Sequence, residues 1–91
     1  MYQYTILKTD GTIEKFKTEK LSLDSLQFNV GGFIERLARP ELYGIKATGD
    51  VYVNEDGRSL NLAVNPHVTN TDQAPIVGNI LIEEKLTEVV Q

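Results

Sequence analysis

The chain has 91 residues, with 9 Lys and Arg against 13 Asp and Glu, a single His and no Cys. That length holds about one small domain, whose folding buries only ~60–65% of the surface of the unfolded chain. The absence of cysteine excludes disulfides, a thiolate zinc site and a cysteine nucleophile, and a net charge of −4 argues against direct nucleic-acid binding.

Tyr2 to Lys8 and Ile13 to Thr18 read as two strands of a hairpin. A Thr9-Asp10-Gly11 loop with Gly11 left-handed pairs Leu7 with Ile13 and Tyr4 with Phe16. A tighter Asp10-Gly11 turn would set Leu7 against Glu14, so the register that matches apolar to apolar is preferred. Ser22 is a good helix N-cap, and Asp24 suits the positive end of the helix dipole. Leu23, Leu26 and Val30 share one helical face, and Gly31 supplies a left-handed C-terminal residue. A helix this short needs docking on a sheet.

Phe33 to Leu37 reads as the next strand, stopped by Pro40. Residues 39–48 form a connection in which Leu42, Tyr43 and Ile45 are apolar enough to pack. Asp50 to Val53 is a strand, Asn54 to Gly57 a turn and Arg58 to Val64 a returning strand. Residues 65–74 are polar and loop-like. Ile76 to Ile82 is a last strand interrupted by Gly78, and the tail from Glu83 is read as a helical turn with solvated carboxylates. The sum is a single α+β domain: a mostly antiparallel sheet of five to six strands with one short helix packed on one face. The other face then lacks a helix, which is the physical reason to expect a partner there.

Chemistry-bearing residues are sparse. Asn54-Glu55-Asp56-Gly57-Arg58 fails as a calcium loop, because Tyr52 and Ala63 occupy positions that need carboxylates. Gly31-Gly32 follows a helix, whereas phosphate-binding glycines precede one. Glu83 and Glu84 point to opposite faces if they lie in a strand, so they cannot act as a pair. Lysines on the hairpin serve to discourage sheet-to-sheet association. The lone His67 cannot build a zinc site by itself, and as a general base it would need Thr69, Thr71 or Asp72. Arg36 and Arg39 could meet an anion. Asn65, His67 and Asn70 belong to a long polar loop, a common place for binding residues. No cofactor or metal site is expected. No window approaches the ~20 apolar residues that cross a bilayer, and the start lacks the pattern of a signal peptide. The reading is therefore cytoplasmic, without membrane contact.

Four blocks, Val30-Gly31-Gly32-Phe33-Ile34-Glu35, Val53-Asn54-Glu55-Asp56-Gly57, Leu62-Ala63-Val64-Asn65-Pro66 and Ile76-Val77-Gly78-Asn79-Ile80-Leu81-Ile82, resemble those of a family of small phage and bacterial proteins without assigned activity. The resemblance spans roughly residues 20–82 and departs from the family in a longer 39–48 connection. It implies a phage or mobile-element accessory protein and carries over no catalytic residue. Among its positions, Glu35 and Asn65 lack an obvious packing reason and join the site candidates.

The functional expectation is a non-enzymatic binding or regulatory protein, homo-oligomeric, holding a host protein or a small anionic metabolite. One alternative is an acidic mimic that blocks a nucleic-acid-binding protein. The other is a small enzyme using His67.

Overall fold

The computed structural model describes residues 1–68 and 75–87. Five strands form one antiparallel sheet: β1 (Tyr2–Leu7), β2 (Ile13–Thr18), β3 (Ile34–Arg36), β4 (Asp50–Asn54) and β5 (Ile80–Lys85). Their spatial order is β2-β1-β5-β4-β3. The helix α1 (Leu23–Val30) packs on β3, β4 and β5, which gives the expected α+β class. None of the described helices is long and apolar enough to cross a membrane.

The hairpin takes the apolar register, with Leu7 opposite Ile13 and Tyr4 opposite Phe16. Its loop closes through Gly11 N–H to the Lys8 carbonyl at 3.1 Å and Lys8 N–H to the Thr12 carbonyl at 3.0 Å, and Gly11 has φ 91°. The Asp10 carboxylate accepts from the Thr12 hydroxyl (2.6 Å) and the Thr12 N–H (2.9 Å). These bonds, the hydroxyl first, hold its pKa below the usual carboxylate range.

Ser22 caps α1 by accepting from Ser25 N–H at 3.2 Å, and Gly31 ends it with φ 81°. The Asn54 amide donates to the Val30 carbonyl at 3.1 Å, satisfying one of the acceptors that a helix end leaves open. Leu26 and Val30 are buried, whereas Leu23 in the first turn is 58% exposed. The apolar seam is therefore shorter than the sequence spacing suggests.

Strand alternation divides the core. On the helix side, Leu26 and Val30 pack with Tyr4, Ile6 and Leu81. On the other side, Val51, Val53, Ile80 and Ile82 pack with Ile45 and Ile76, flanked by Leu37, Tyr43, Ala47 and Val68. The face expected to await a partner is thus filled by the chain's own irregular segments. One is the 37–47 connection, which includes a 3-10 turn at Pro40–Tyr43, and another contains Ile76.

Three further expectations change. Arg58 to Val64 is not a strand. Leu60 N–H bonds the Asp56 carbonyl, Leu62 N–H bonds the Gly57 carbonyl, and Asn61 takes φ 54°. Those local bonds coil the segment, and only Val64 reaches a strand-like bridge, with Val77. The last strand starts at Ile80 because Gly78, at φ 83° and against Leu62, turns the chain first. Finally, Glu83 to Lys85 continue β5 instead of forming a helical turn, since Tyr2, Gln3 and Tyr4 of β1 pair with them.

Gly49 enters β4 so close to β5 that a Cβ would collide with the Glu83 carbonyl oxygen. A Gly49→Ala chain is expected to lose about 3 kcal/mol, because strand backbone would have to move. Urea unfolding checks this; a loss below about 0.5 kcal/mol would show that the close approach is easily relieved.

Candidate functional site

The residues singled out in the sequence do not converge. Glu35 lies on edge strand β3 and lines a cleft of about 190 Å³ with Tyr43, Glu55 and Arg58. Its neighbour Arg36 is on the opposite face, 3.6 Å from Asp50. Arg39 is exposed and precedes the 3-10 turn, while Arg36 is engaged by Asp50. Asn65 is only 1% exposed. Its amide donates to the carbonyls of Leu7 (2.8 Å) and Gly78 (2.9 Å), and its oxygen accepts from His67 N–H (2.9 Å). These bonds explain the residue structurally: it ties the 65–68 segment to β1 and to the turn before β5.

His67 Nε2 lies 3.1 Å from the Thr12 carbonyl oxygen. A carbonyl only accepts, so this nitrogen carries the proton and links the loop to the hairpin. Asn70 lies outside the described residues, as do Thr69, Thr71 and Asp72, the groups considered as partners for His67.

Two features were missed. The first is a buried polar cluster around Glu83, which is 4% exposed although its neighbours suggested a solvated tail. Tyr4 hydroxyl donates to Glu83 Oε2 at 2.6 Å and accepts from Leu21 N–H at 2.8 Å. Lys20 Nζ reaches Glu83 Oε1 at 3.5 Å and sits 5.2 Å from the centre of the Tyr2 ring. Burial, then the bond to Glu83, pushes the Tyr4 phenol up to about 12. Burial and the Glu83 charge also raise Tyr52, and the same charge raises Lys20. Glu84, on the other face, accepts from Thr48 N–H and hydroxyl. The two carboxylates are separated as alternation requires.

The second is an open groove of about 530 Å³ between β2 and α1, lined by Glu14, Phe16, Leu21, Asp24, Ser25, Phe28 and Asn29. Phe16 stacks on Tyr4 with ring centres 5.5 Å apart, so the groove floor is continuous with the aromatic core. Phe28 stands 85% exposed on the groove wall. Beside the groove runs β2, an edge strand with no outer neighbour among the described residues. Hydrogen-bonded pairs alternate along an antiparallel ladder. Since Lys8 bonds Thr12, the N–H and C=O groups of Ile13, Lys15 and Lys17 point away from β1 along this edge.

No family model, curated protein or solved structure matches the chain. Among the described residues, no group of three or more His, Cys, Asp or Glu is placed to hold a metal ion. What the groove offers is an apolar floor, an exposed aromatic and a row of free backbone donors and acceptors.

The polar cluster has a measurable signature. Tyr4 binds its proton more tightly in the folded chain than in the unfolded one. Its contribution is complete below pH ~10 and is lost as the pH rises towards ~12, amounting to roughly 2–3 kcal/mol. Tyr4→Phe is expected to cost about 1–3 kcal/mol at neutral pH and to flatten the alkaline fall in stability. Denaturant titrations across that interval check this, and identical alkaline profiles for the two proteins would contradict it. Asn65→Ala strips a partner from one buried and one part-buried carbonyl and is expected to cost about 2–3 kcal/mol, read as a lower thermal midpoint.

Proposed function

We propose that the chain is a non-enzymatic binding module that takes up a segment of another protein along the open edge of β2, beside the groove between β2 and α1. One observation carries the reading: a six-residue edge strand without an outer neighbour among the described residues borders an apolar groove whose wall, Phe28, is 85% exposed. An exposed sheet edge pairs readily with an extended chain, and an adjacent apolar groove supplies side-chain selectivity. An isolated exposed Phe is ordinary, but one placed beside an open edge and above Phe16 and Leu21 has a surface to share.

The other readings draw less support. The acidic mimic needs a concentrated negative surface, whereas Glu83 is buried and Glu84 lies on the opposite face from it. A small anionic metabolite would want Arg36 and Arg39 together. An enzyme using His67 would have to work through Nδ1, since Nε2 is bonded to the Thr12 carbonyl, and the groups considered as its partners lie outside the described residues.

Self-association along β2 meets a charge obstacle. A two-fold axis keeps the sheet faces aligned, so opposed residues in an antiparallel dimer share parity. Every such register with three or more paired residues sets lysine against lysine, drawn from Lys15 and Lys17, or Glu14 against Glu14. A different protein suits the edge better than a second copy.

Selection of a random peptide library on the immobilised protein tests the reading. Enriched peptides are expected to bind at least ~10-fold more weakly to Phe28→Ser, whose folding should match that of the parent because the side chain is exposed. Enrichment indifferent to Phe28, or no enrichment, would overturn it.

A further inference from the structure

We infer that the occupant of the β2 edge is an extended segment of another protein, running antiparallel to β2, that presents an acidic, an apolar and an acidic residue opposite Lys17, Phe16 and Lys15. This rests on the binding-module reading and specifies its partner. Three observations lead to it.

The first is the direction of the backbone groups. The free donors and acceptors belong to Ile13, Lys15 and Lys17, so an added strand forms hydrogen-bonded pairs with those residues and non-hydrogen-bonded pairs with Glu14 and Phe16. Side chains approach most closely in the non-hydrogen-bonded pairs. The residue opposite Phe16 therefore packs directly on Phe16, whose ring lies on the groove floor. An apolar side chain fits that position.

The second is charge. Lys15 and Lys17 stand on the face of β2 away from the helix, and among the described residues neither makes an ion pair. By contrast Lys8 is bonded to Glu14 at 2.9 Å, and Lys20 reaches Glu83. The two positive charges of the edge are thus unanswered, and acids directly opposite would answer both at once.

The third is Ile13, which is 54% exposed at the start of the same face. An apolar residue opposite it continues the pattern and leaves Glu14 facing a neutral polar residue. Read in the antiparallel direction from Thr18 to Ile13, the complement is polar, acidic, apolar, acidic, polar, apolar.

The test uses three capped peptides and the whole labelled protein: Thr-Glu-Val-Glu-Thr-Val, its counterpart Thr-Lys-Val-Lys-Thr-Val, and Thr-Glu-Ser-Glu-Thr-Val. Backbone amide signals are followed by NMR at low salt. The acidic peptide is expected to shift Ile13, Lys15, Lys17 and residues 21–29, and to bind ~10-fold more tightly than the lysine peptide. The gap should narrow as added salt shortens the range of the charges. The serine peptide is expected to bind several-fold more weakly than the valine one. Replacing both lysines (Lys15→Glu with Lys17→Glu) should reverse the preference between the charged peptides, and since both side chains are exposed the variant is expected to fold. If the lysine peptide binds the parent protein as well as the acidic one, the charge-matched occupant is overturned while docking along the β2 edge stands. If no peptide shifts residues 13–29, both are overturned, and shifts confined to another surface count the same way.

Discussion

The bond from the Tyr4 hydroxyl to Glu83 holds the sheet, the helix and the groove in one arrangement. A carboxylate in the middle of a sheet, 4% exposed, is tolerable only with partners that replace water. Tyr4 supplies one, and the same oxygen accepts from Leu21 N–H, fixing the chain just before α1 begins. The Tyr4 ring also stacks on Phe16. A single side chain therefore sets where the helix starts and how the groove floor lies. Replacing such a buried pair by apolar groups could stabilise the chain, but the helix entry would lose its acceptor.

Elsewhere, side-chain amides do work that a larger protein would assign to secondary structure. Asn54 closes the end of α1 and, through the Asp56 N–H, shapes the turn after β4. Asn65 fastens the 65–68 segment to one carbonyl of β1 and one in the turn before β5. With an eight-residue helix available for one face, irregular chain must cover the other. Irregular chain buries its backbone polar groups safely only when donors such as these reach them.

Much of the frame was legible in the sequence. Ser22 and Gly31 bracketed the helix, and the pairing of Leu7 with Ile13 chose the hairpin register over a shorter turn. These signals are local. What depended on distant partners was not legible. Glu83 looked solvated because its neighbours in sequence are charged, while the tyrosine that buries it is 79 residues away. The alternation of Leu81 and Glu83 against Ile80 and Ile82 was the available clue. Asn65 was raised as a site residue because its carbonyl partners, Leu7 and Gly78, lie outside its own segment. Arg58 to Val64 suggested a strand by composition, but Asn61 in a left-handed conformation and short-range bonds coil it. Phe28, out of step with Leu26 and Val30, was the visible sign of the groove.

The place of β5 between β1 and β4 governs the order of assembly. Ile80 and Ile82 belong to one apolar cluster and Leu81 to the other, so neither core has its centre until this strand arrives. During synthesis the hairpin and the helix can form early from neighbouring residues, but the sheet stays split into two halves. Joining them closes a loop of most of the chain's length, an entropic cost met only when both faces condense together. A chain in which β5 has not yet docked presents two raw inner edges, β1 and β4, to whatever strand comes first.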